Sequence, residues 1–250
     1  MEYLRKTVLS LFLILLFMLF ILLDDLALDG AEEKTLRING GRLLERLEEL
    51  SRIGGNREGG VDRVAFSEAD LKAREHVISL MREAGLEVRI DEAANIIGRR
   101  EGSEKDLPPI LFGSHIDTVP NGGRYDGSLG VLAALECLEA LEENSLETRH
   151  PLEVVVFSDE EGGTVGSRAM SGEFSPEALG VISQSGKTIQ EGVRFLGGDP
   201  ENLGRAARRR GDVAAFLELH IEQGGILASR NIGIGIVEGI VGISRWEVSI

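Results

Sequence analysis

The feature that most constrains the fold is an alternation of helix-like and strand-like segments along the chain. Residues 152–157 are apolar at nearly every position, which is typical of a strand buried on both faces of a sheet. Residues 128–143 carry apolar side chains at the spacing of one helix face. This alternation predicts an α/β domain with a mixed, mostly parallel sheet flanked by helices.

Local signals mark the ends of several other elements. Asn39 and Ser67 are residue types that cap helices, and each precedes a run of apolar residues at helical spacing. Residues 86–90 alternate between apolar and polar side chains, which predicts a strand. Residues 110–112 and 216–221 predict two further strands. The residues with the most informative chemistry follow these strands.

Composition excludes some classes of partner and site. The 250 residues include 42 acidic and 27 basic side chains, which gives a net charge of −15. A chain this acidic is a poor general binder of phosphate backbones, so nucleic acid is not an expected partner. A single cysteine, Cys137, excludes an internal disulfide framework and a cysteine-rich zinc site.

The N-terminal thirty residues differ in character from the rest. Residues 8–23 are apolar except for Ser10, and Arg5 and Lys6 precede them. A basic flank before an apolar run is typical of a secretory signal or a membrane anchor. Residues 1–30 are therefore predicted to be a signal peptide or signal-anchor that contacts the membrane, with the rest of the chain extracytoplasmic. The alternatives are a buried N-terminal helix or a mispredicted start codon, and the protein would then be cytoplasmic.

Three predicted strands are followed by residue types that bind metal ions. Ligands of open α/β sheets bind beyond the carboxyl ends of the strands, and imidazole and carboxylate groups are ligands for Zn²⁺ and related ions. His115 and His220 are two of only four histidines, and both lie beside acidic residues. Each residue alone has an ordinary interpretation as core or surface, but together they indicate a metal-dependent hydrolase. The segments are Gly113-Ser114-His115-Ile116-Asp117 with Tyr125-Asp126-Gly127, Asp159-Glu160-Glu161-Gly162, and Glu218-Leu219-His220-Ile221-Glu222-Gln223-Gly224.

The order of these motifs resembles one known family. His-x-Asp-Thr-Val-Pro-x-Gly-Gly-x-Tyr-Asp-Gly, then Asp-Glu-Glu-Gly, then Glu-Leu-His-Ile-Glu-Gln-Gly is similar to the carbamoylase branch of the aminoacylase/carboxypeptidase metallohydrolases. This hydantoinase/carbamoylase-type branch holds N-carbamoyl-L-amino-acid hydrolases and allantoate and ureidoglycolate amidohydrolases. The resemblance covers about residues 36–250 and includes Asp91-x-x-x-Asn95 and Gly166-Ser167-Arg168. His220 favours this branch, because related peptidases usually carry an acid there.

The resemblance implies a catalytic domain like that of the dinuclear zinc exopeptidases, with two divalent ions per subunit. By this resemblance His115, Asp126 and His220 hold one ion. Asp126 bridges to the second ion, which Glu161 also holds. The ions would be Zn, Mn, Co or Ni. The ligand set does not select one of these metals, because metal availability matters as much as the ligands.

The resemblance also implies roles in the reaction. Glu160 would be the general base, Asp117 would orient a metal-binding histidine, and Gln223 would contact the substrate. The reaction would be hydrolysis of the ureido group of an N-carbamoyl amino acid to amine, CO₂ and ammonia. Allantoate or ureidoglycolate amidohydrolysis is the alternative.

Two departures from the family pattern affect the expected activity. The family's second ion needs another histidine far toward the C-terminus, and the family inserts a lid and dimerisation domain after a strand such as residues 233–242. The expected organisation is an incomplete catalytic domain over residues 34–242, with residues 243–250 starting the lid. A homodimer is expected for the full-length protein, and this piece alone is expected to be inactive or impaired.

Overall fold

A computed structural model describes residues 36–240 and residue 242. The description below concerns the unit that begins at Ile38. Two short 3₁₀ helices, Pro176–Gly180 and Pro200–Ala206, join its regular elements. In chain order these are α1 (Gly40–Arg52), α2 (Glu68–Glu83), β1 (Glu87–Ile90), β2 (Ile96–Arg100), β3 (Ile110–His115), α3 (Ser128–Glu143), β4 (Leu152–Phe157), α4 (Glu160–Gly163), α5 (Val165–Ser171), α6 (Ile189–Phe195), β5 (Ala215–Leu217) and α7 (Ile226–Ser229).

The five strands form one mixed sheet in the order β1-β2-β4-β3-β5. The β1/β2 and β2/β4 pairs are antiparallel, whereas β3 runs parallel to both β4 and β5. This confirms the predicted α/β class with a mixed sheet flanked by helices. β5 ends at Leu217, short of the predicted end at residue 221, because its hydrogen-bond ladder with β3 stops there.

Successive residues of β4 pack into different parts of the core. Val154 and Val156 contact the cluster formed with α1, α2 and α3, whereas Val155 and Phe157 belong to a second cluster with Met170 of α5. Alternate side chains of a strand point to opposite faces of a sheet. Since all six β4 residues are buried, the prediction of a strand covered on both faces is confirmed.

Both predicted helix caps form. The Asn39 side chain accepts a hydrogen bond from the backbone N–H of Arg42 at 3.1 Å, and Ser67 Oγ accepts one from Asp70 at 3.1 Å. The Asp70 carboxylate in turn accepts from the backbone N–H of Phe66 at 2.8 Å. These contacts satisfy N–H groups that have no partner within the first turn of a helix.

A buried carboxylate fastens α1 to α3. Glu136 is fully buried on α3, and its carboxylate accepts from Arg42 Nε at 2.7 Å and from the backbone N–H of Asn39 at 2.7 Å. A buried charge is tolerated when it is paired and its remaining lone pairs are hydrogen-bonded. Glu136 therefore stabilises the packing of these two helices away from the carboxyl ends of the strands.

Asp70 should make the stability of the fold depend on pH. Its side chain is buried, and burial raises the pKa of the Asp70 carboxyl from 3.8 to about 6. The folded chain therefore binds this proton more tightly than the unfolded chain, so the contribution of Asp70 to stability falls as pH rises through this interval. Between pH 7 and pH 5 the folded protein should gain about 1.4 kcal/mol from this group. Urea unfolding of the wild type and of Asp70→Asn at both pH values measures the gain, and equal pH dependence in the two proteins would contradict it.

The prediction of a membrane-anchored protein is wrong. Among residues 36–240 and 242, no helix combines the length and the apolar character that a membrane crossing requires. The apolar run at residues 8–23 and the predicted leader at residues 1–30 lie outside the described residues. Residues 243–250, predicted to begin the lid, lie outside them as well.

The strand predicted at residues 233–242 is not present over residues 233–240. This segment has no regular secondary structure, and its side chains are exposed. A strand requires a ladder of hydrogen bonds to a neighbour. In the described part of the chain, no backbone hydrogen bond joins residues 233–240 to another segment.

Candidate metal centre

The register of the sheet brings the ends of three strands together. β3 and β4 run parallel until His115 lies opposite Phe157. β5 runs parallel to β3 until Leu217 lies opposite Phe112, and the chain then continues past the end of β3 toward His220. The carboxyl ends of parallel strands are where ligands bind in open α/β sheets. The three predicted motifs therefore meet at one edge of the sheet.

Three of the predicted residues form a compact cluster. Asp126 Oδ1 lies 3.1 Å from Nε2 of His220 and 4.0 Å from Nε2 of His115. The two imidazole rings lie with their centroids 5.9 Å apart. One possible ligand atom from each residue lies within 4.8 Å of the others. His115 is buried and the other two are half-buried, so the cluster is open to solvent on one side.

The hydrogen bonds of the two histidines orient both rings toward Asp126. Nδ1 of His115 lies 3.0 Å from the backbone carbonyl oxygen of Asp117, and Nδ1 of His220 lies 2.9 Å from that of Ile221. Because a carbonyl oxygen only accepts, each Nδ1 carries the proton and each Nε2 keeps a free lone pair. Metal-binding histidines usually donate their other N–H in this way. The donor set therefore fits a divalent metal ion.

Asp117 connects two of the three motifs. Its carboxylate accepts from the backbone N–H groups of Glu160 at 3.3 Å and Glu161 at 3.1 Å. Its nearer carboxylate oxygen lies 3.7 Å from Nδ1 of His115, outside hydrogen-bond range. The contact with the imidazole is therefore made by the Asp117 main-chain carbonyl, while the carboxylate holds the start of α4.

The two predicted glutamates lie side by side on α4. Glu160 Oε2 lies 3.6 Å from Nε2 of His115, whereas Glu161 is not part of the histidine–aspartate cluster. Burial raises the pKa of both glutamate carboxyls above the ordinary value, and His115 opposes the rise. A raised pKa makes a carboxylate a stronger base at neutral pH.

A strained turn sets the direction of α4. Asp159 precedes the helix with φ 49° and ψ 51°, the left-handed region that non-glycine residues rarely adopt. Its buried carboxylate accepts from the backbone N–H of Gly163 at 3.0 Å. Burial, reinforced by the charge of Asp117, raises the pKa of Asp159 to about 7. The turn is therefore held by a local hydrogen bond that compensates for the backbone strain.

A buried amide supports the same turn from the far side. Asn95 accepts from the backbone N–H of Ser158 at 3.1 Å and donates to the Gly166 carbonyl at 3.1 Å. It also donates to Asp91 at 2.9 Å. A Cβ on Gly166 would lie only 2.0 Å from the Asn95 oxygen, so glycine is required there. The unassigned Asp91/Asn95 and Gly166 motifs thus meet behind α4.

The predicted substrate contact, Gln223, lies against the cluster. Its amide donates to both carboxylate oxygens of Asp126, at 3.2 Å and 3.0 Å.

Sequence reasoning did not identify Ser114, whose hydroxyl donates to Glu218 at 2.5 Å. This contact links β3 to the segment that leads to His220, and no local sequence pattern signals it.

A cavity of about 570 Å³ lies beside Glu160. Glu218 and the apolar ring of Phe157 also line it, and Arg209 and Arg210 add positive charge to its lining. A cavity of this size is large enough for a small-molecule ligand.

Comparison with known proteins identifies the family. Residues 111–250, more than half of the chain, match the model of the Peptidase family M20/M25/M40. The chain belongs to this family. Within the M20 family, the predicted resemblance to the carbamoylase branch is confirmed by the relatives described next.

An N-carbamoyl-L-amino acid amidohydrolase from Geobacillus stearothermophilus is 47% identical over 211 residues, which cover 82% of this chain and 52% of that protein. An allantoate amidohydrolase from Bacillus subtilis is 36% identical over 214 residues, covering 83% of this chain and 52% of that protein. A crystal structure of an amidase of the hydantoinase/carbamoylase family from Burkholderia vietnamiensis matches with a TM-score of 0.72 and 36% identity, over 80% of this chain and 49% of that one. The chain spans about half the length of the curated relatives it matches.

Proposed function

We propose that the protein is a metal-dependent amidohydrolase that cleaves a carbon–nitrogen bond of a ureido acid, with N-carbamoyl amino acids as the substrate class. The observation that carries this proposal is the His115–Asp126–His220 cluster, with its ligand atoms within 4.8 Å of one another and Glu160 beside it. The name of the Geobacillus relative supports the substrate class.

The proposed metal ligands are His115, Asp126 and His220, and Glu161 together with Asp126 would offer carboxylate oxygens to a second ion. When bound, divalent ions would supply Lewis acidity, which polarises a carbonyl group and lowers the pKa of water to near neutral. Zn, Mn, Co and Ni all accept such nitrogen and oxygen donors. The second ion, the homodimer and the domain boundaries at residues 34–242 and 243–250 stay predictions.

The protein's own groups carry the proton transfers. Glu160 is proposed to take a proton from the attacking water at its carboxylate and to pass it to the leaving nitrogen. The buried Asp117 keeps Glu160 at a fixed distance from His115, because it contacts both segments. The cavity next to Glu160 provides the space for the ureido acid.

The Glu160→Gln variant tests this assignment. In the full-length protein, we expect the rate of ammonia release from N-carbamoyl-L-amino acids to fall about 10²–10⁴-fold, the usual contribution of a general base. Co²⁺ binding should change little, because Glu160 lies outside the cluster of donor atoms. Glu147→Gln, at an exposed glutamate on the loop after α3, is the control and should leave the rate unchanged. Full activity of Glu160→Gln would exclude Glu160 as the base.

A second candidate is the hydrolysis of allantoate or ureidoglycolate, favoured by the similarity to the Bacillus subtilis allantoate amidohydrolase. The same ureido group is attacked, so only the remainder of the substrate differs. A panel of N-carbamoyl amino acids, allantoate and ureidoglycolate separates the two candidates by their relative rates of ammonia release. Metal binding without ammonia release from any of them would support the alternative that this chain is inactive by itself.

A further inference from the structure

Arg63 is a fully buried cation in the loop between α1 and α2. Within the described part of the chain, no carboxylate oxygen lies within ion-pair distance of its guanidinium. Burial without such a partner is costly: it lowers the pKa of Arg63 to about 10. A charge in this position requires a dense set of hydrogen bonds to be tolerated.

The guanidinium of Arg63 donates hydrogen bonds to neutral oxygens of three separate segments. Nη1 donates to the carbonyl oxygens of Leu50 at 2.9 Å and Ile53 at 2.8 Å, at the end of α1. Nε donates to the carbonyl of Ile116 at 2.6 Å, and Nη2 donates to Ser128 Oγ at 3.2 Å. The planar fork of arginine can hold such a set at fixed angles, whereas the single ammonium of lysine cannot.

Two of these segments carry the proposed metal ligands. Ile116 lies between His115 and Asp117, and Ser128 follows Asp126 by two positions. One guanidinium is therefore hydrogen-bonded both to the segment of the histidine that ends β3 and to the segment of the aspartate before α3.

The backbone of Arg63 adds to the same link. Its carbonyl accepts from the backbone N–H of Thr118 at 2.9 Å, and its own N–H donates to Thr118 Oγ1 at 3.0 Å. The segment after β3 is therefore hydrogen-bonded to both the main chain and the side chain of one residue.

We propose that Arg63 is a positioning residue that holds residues 115–118 and 126–128 at the separation that the His115–Asp126 donor pair needs. The consequence for metal binding rests on the proposed function, because it assumes that the cluster binds a divalent ion. Ligand geometry that is fixed by a surrounding shell of hydrogen bonds binds metal more tightly than geometry left to fluctuate.

The Arg63→Lys variant, titrated with Co²⁺, tests the proposal. Lysine keeps the charge but presents one nitrogen in place of three, so it cannot reproduce the arginine hydrogen bonds to Leu50, Ile53, Ile116 and Ser128, and Co²⁺ affinity should fall about tenfold or more. Glu136→Gln is the matched control for lost stability. Glu136 is also fully buried, but its carboxylate accepts hydrogen bonds from Arg42 of α1 and from Asn39, the residue before α1, and not from the metal-site segments. Its Co²⁺ affinity should stay within about twofold of the wild-type value at a temperature where both variants are folded.

Hydrogen exchange provides a readout that does not depend on metal. The amide of Thr118 donates to Arg63, and the amide of Leu129 donates to the Tyr125 carbonyl at 3.0 Å in the adjoining turn. In Arg63→Lys, exchange at both amides should accelerate about tenfold relative to Val156 in β4. In Glu136→Gln the two amides should keep their wild-type rates relative to Val156.

The outcomes separate this proposal from the proposed function. Wild-type protein that fails to bind Co²⁺ would refute the metal centre, and the exchange data would then decide the role of Arg63 alone. Unchanged exchange in Arg63→Lys, or an equal loss of Co²⁺ affinity in Glu136→Gln, would overturn the role of Arg63. If Arg63→Lys does not fold, Ser128→Ala is the second variant, because it removes one acceptor of the Arg63 guanidinium. Ser128→Ala should accelerate exchange of the Leu129 amide more than exchange of the Val156 amide. An equal acceleration at the two amides would refute the proposal.

Discussion

Replacing His220 with alanine is expected to weaken Co²⁺ binding more than about 100-fold, since the loss of a residue that only supports a metal ligand already costs 10–100-fold. His220 Nε2 lies 3.1 Å from Asp126 Oδ1, and its lone pair faces the cluster. Its removal leaves one imidazole and one carboxylate from the three clustered groups. Isothermal titration with Co²⁺, or the visible absorption of bound Co²⁺, measures the loss.

His150→Ala is the matched control for this prediction. His150 is half-buried like His220, and its Nδ1 lies 2.7 Å from the carbonyl oxygen of Pro108, outside the cluster. Its replacement should leave Co²⁺ affinity within about twofold of the wild type. Equal affinities for His220→Ala and His150→Ala would show that His220 does not bind the ion.

Gly127→Ala is expected to damage the fold and the metal site together. Gly127 has φ +62°, and a Cβ there would lie 2.5 Å from three atoms of the His115 ring. The backbone conformation and the steric overlap together should lower the free energy of unfolding by roughly 2–5 kcal/mol. Because the ring must move to relieve the overlap, Co²⁺ affinity should fall as well. Urea unfolding and Co²⁺ titration of the same preparation measure both effects.

Gly186→Ala separates the backbone effect from the steric effect. Gly186 has φ +82°, close to that of Gly127, but a Cβ there would meet nothing within 4 Å. Its replacement should cost only the roughly 1–2 kcal/mol of the left-handed conformation and should leave Co²⁺ affinity unchanged. Equal losses of stability in the two variants would mean that contact with His115 adds nothing.

The sequence predicts best the elements that have strong periodic or apolar patterns. The bounds of α3 and β4 agree with residues 128–143 and 152–157, since burial along each is nearly continuous. β2 was not predicted, because Ile96–Arg100 ends in two arginines and has only a short apolar start. It nevertheless pairs with both β1 and β4, and such pairing depends on partners distant in sequence.

For the site, the sequence predicts which residues meet but not what holds them. His115, Asp126 and His220 come together because β3 and β5 are parallel and end at the same edge. The support from Arg63 and Asn95 was not predicted, because a polar residue in a loop has no local pattern that distinguishes burial from exposure. Their roles depend on tertiary contacts with segments tens of residues away.

Asp117 couples the position of the His115 ring to the position of the two glutamates on α4. Its main-chain oxygen contacts the imidazole of His115, and its carboxylate contacts the amides of Glu160 and Glu161. A rotation of that ring is therefore transmitted through a single residue to the two glutamates on α4. Substitutions on either side of Asp117 are therefore expected to change the geometry of the other side.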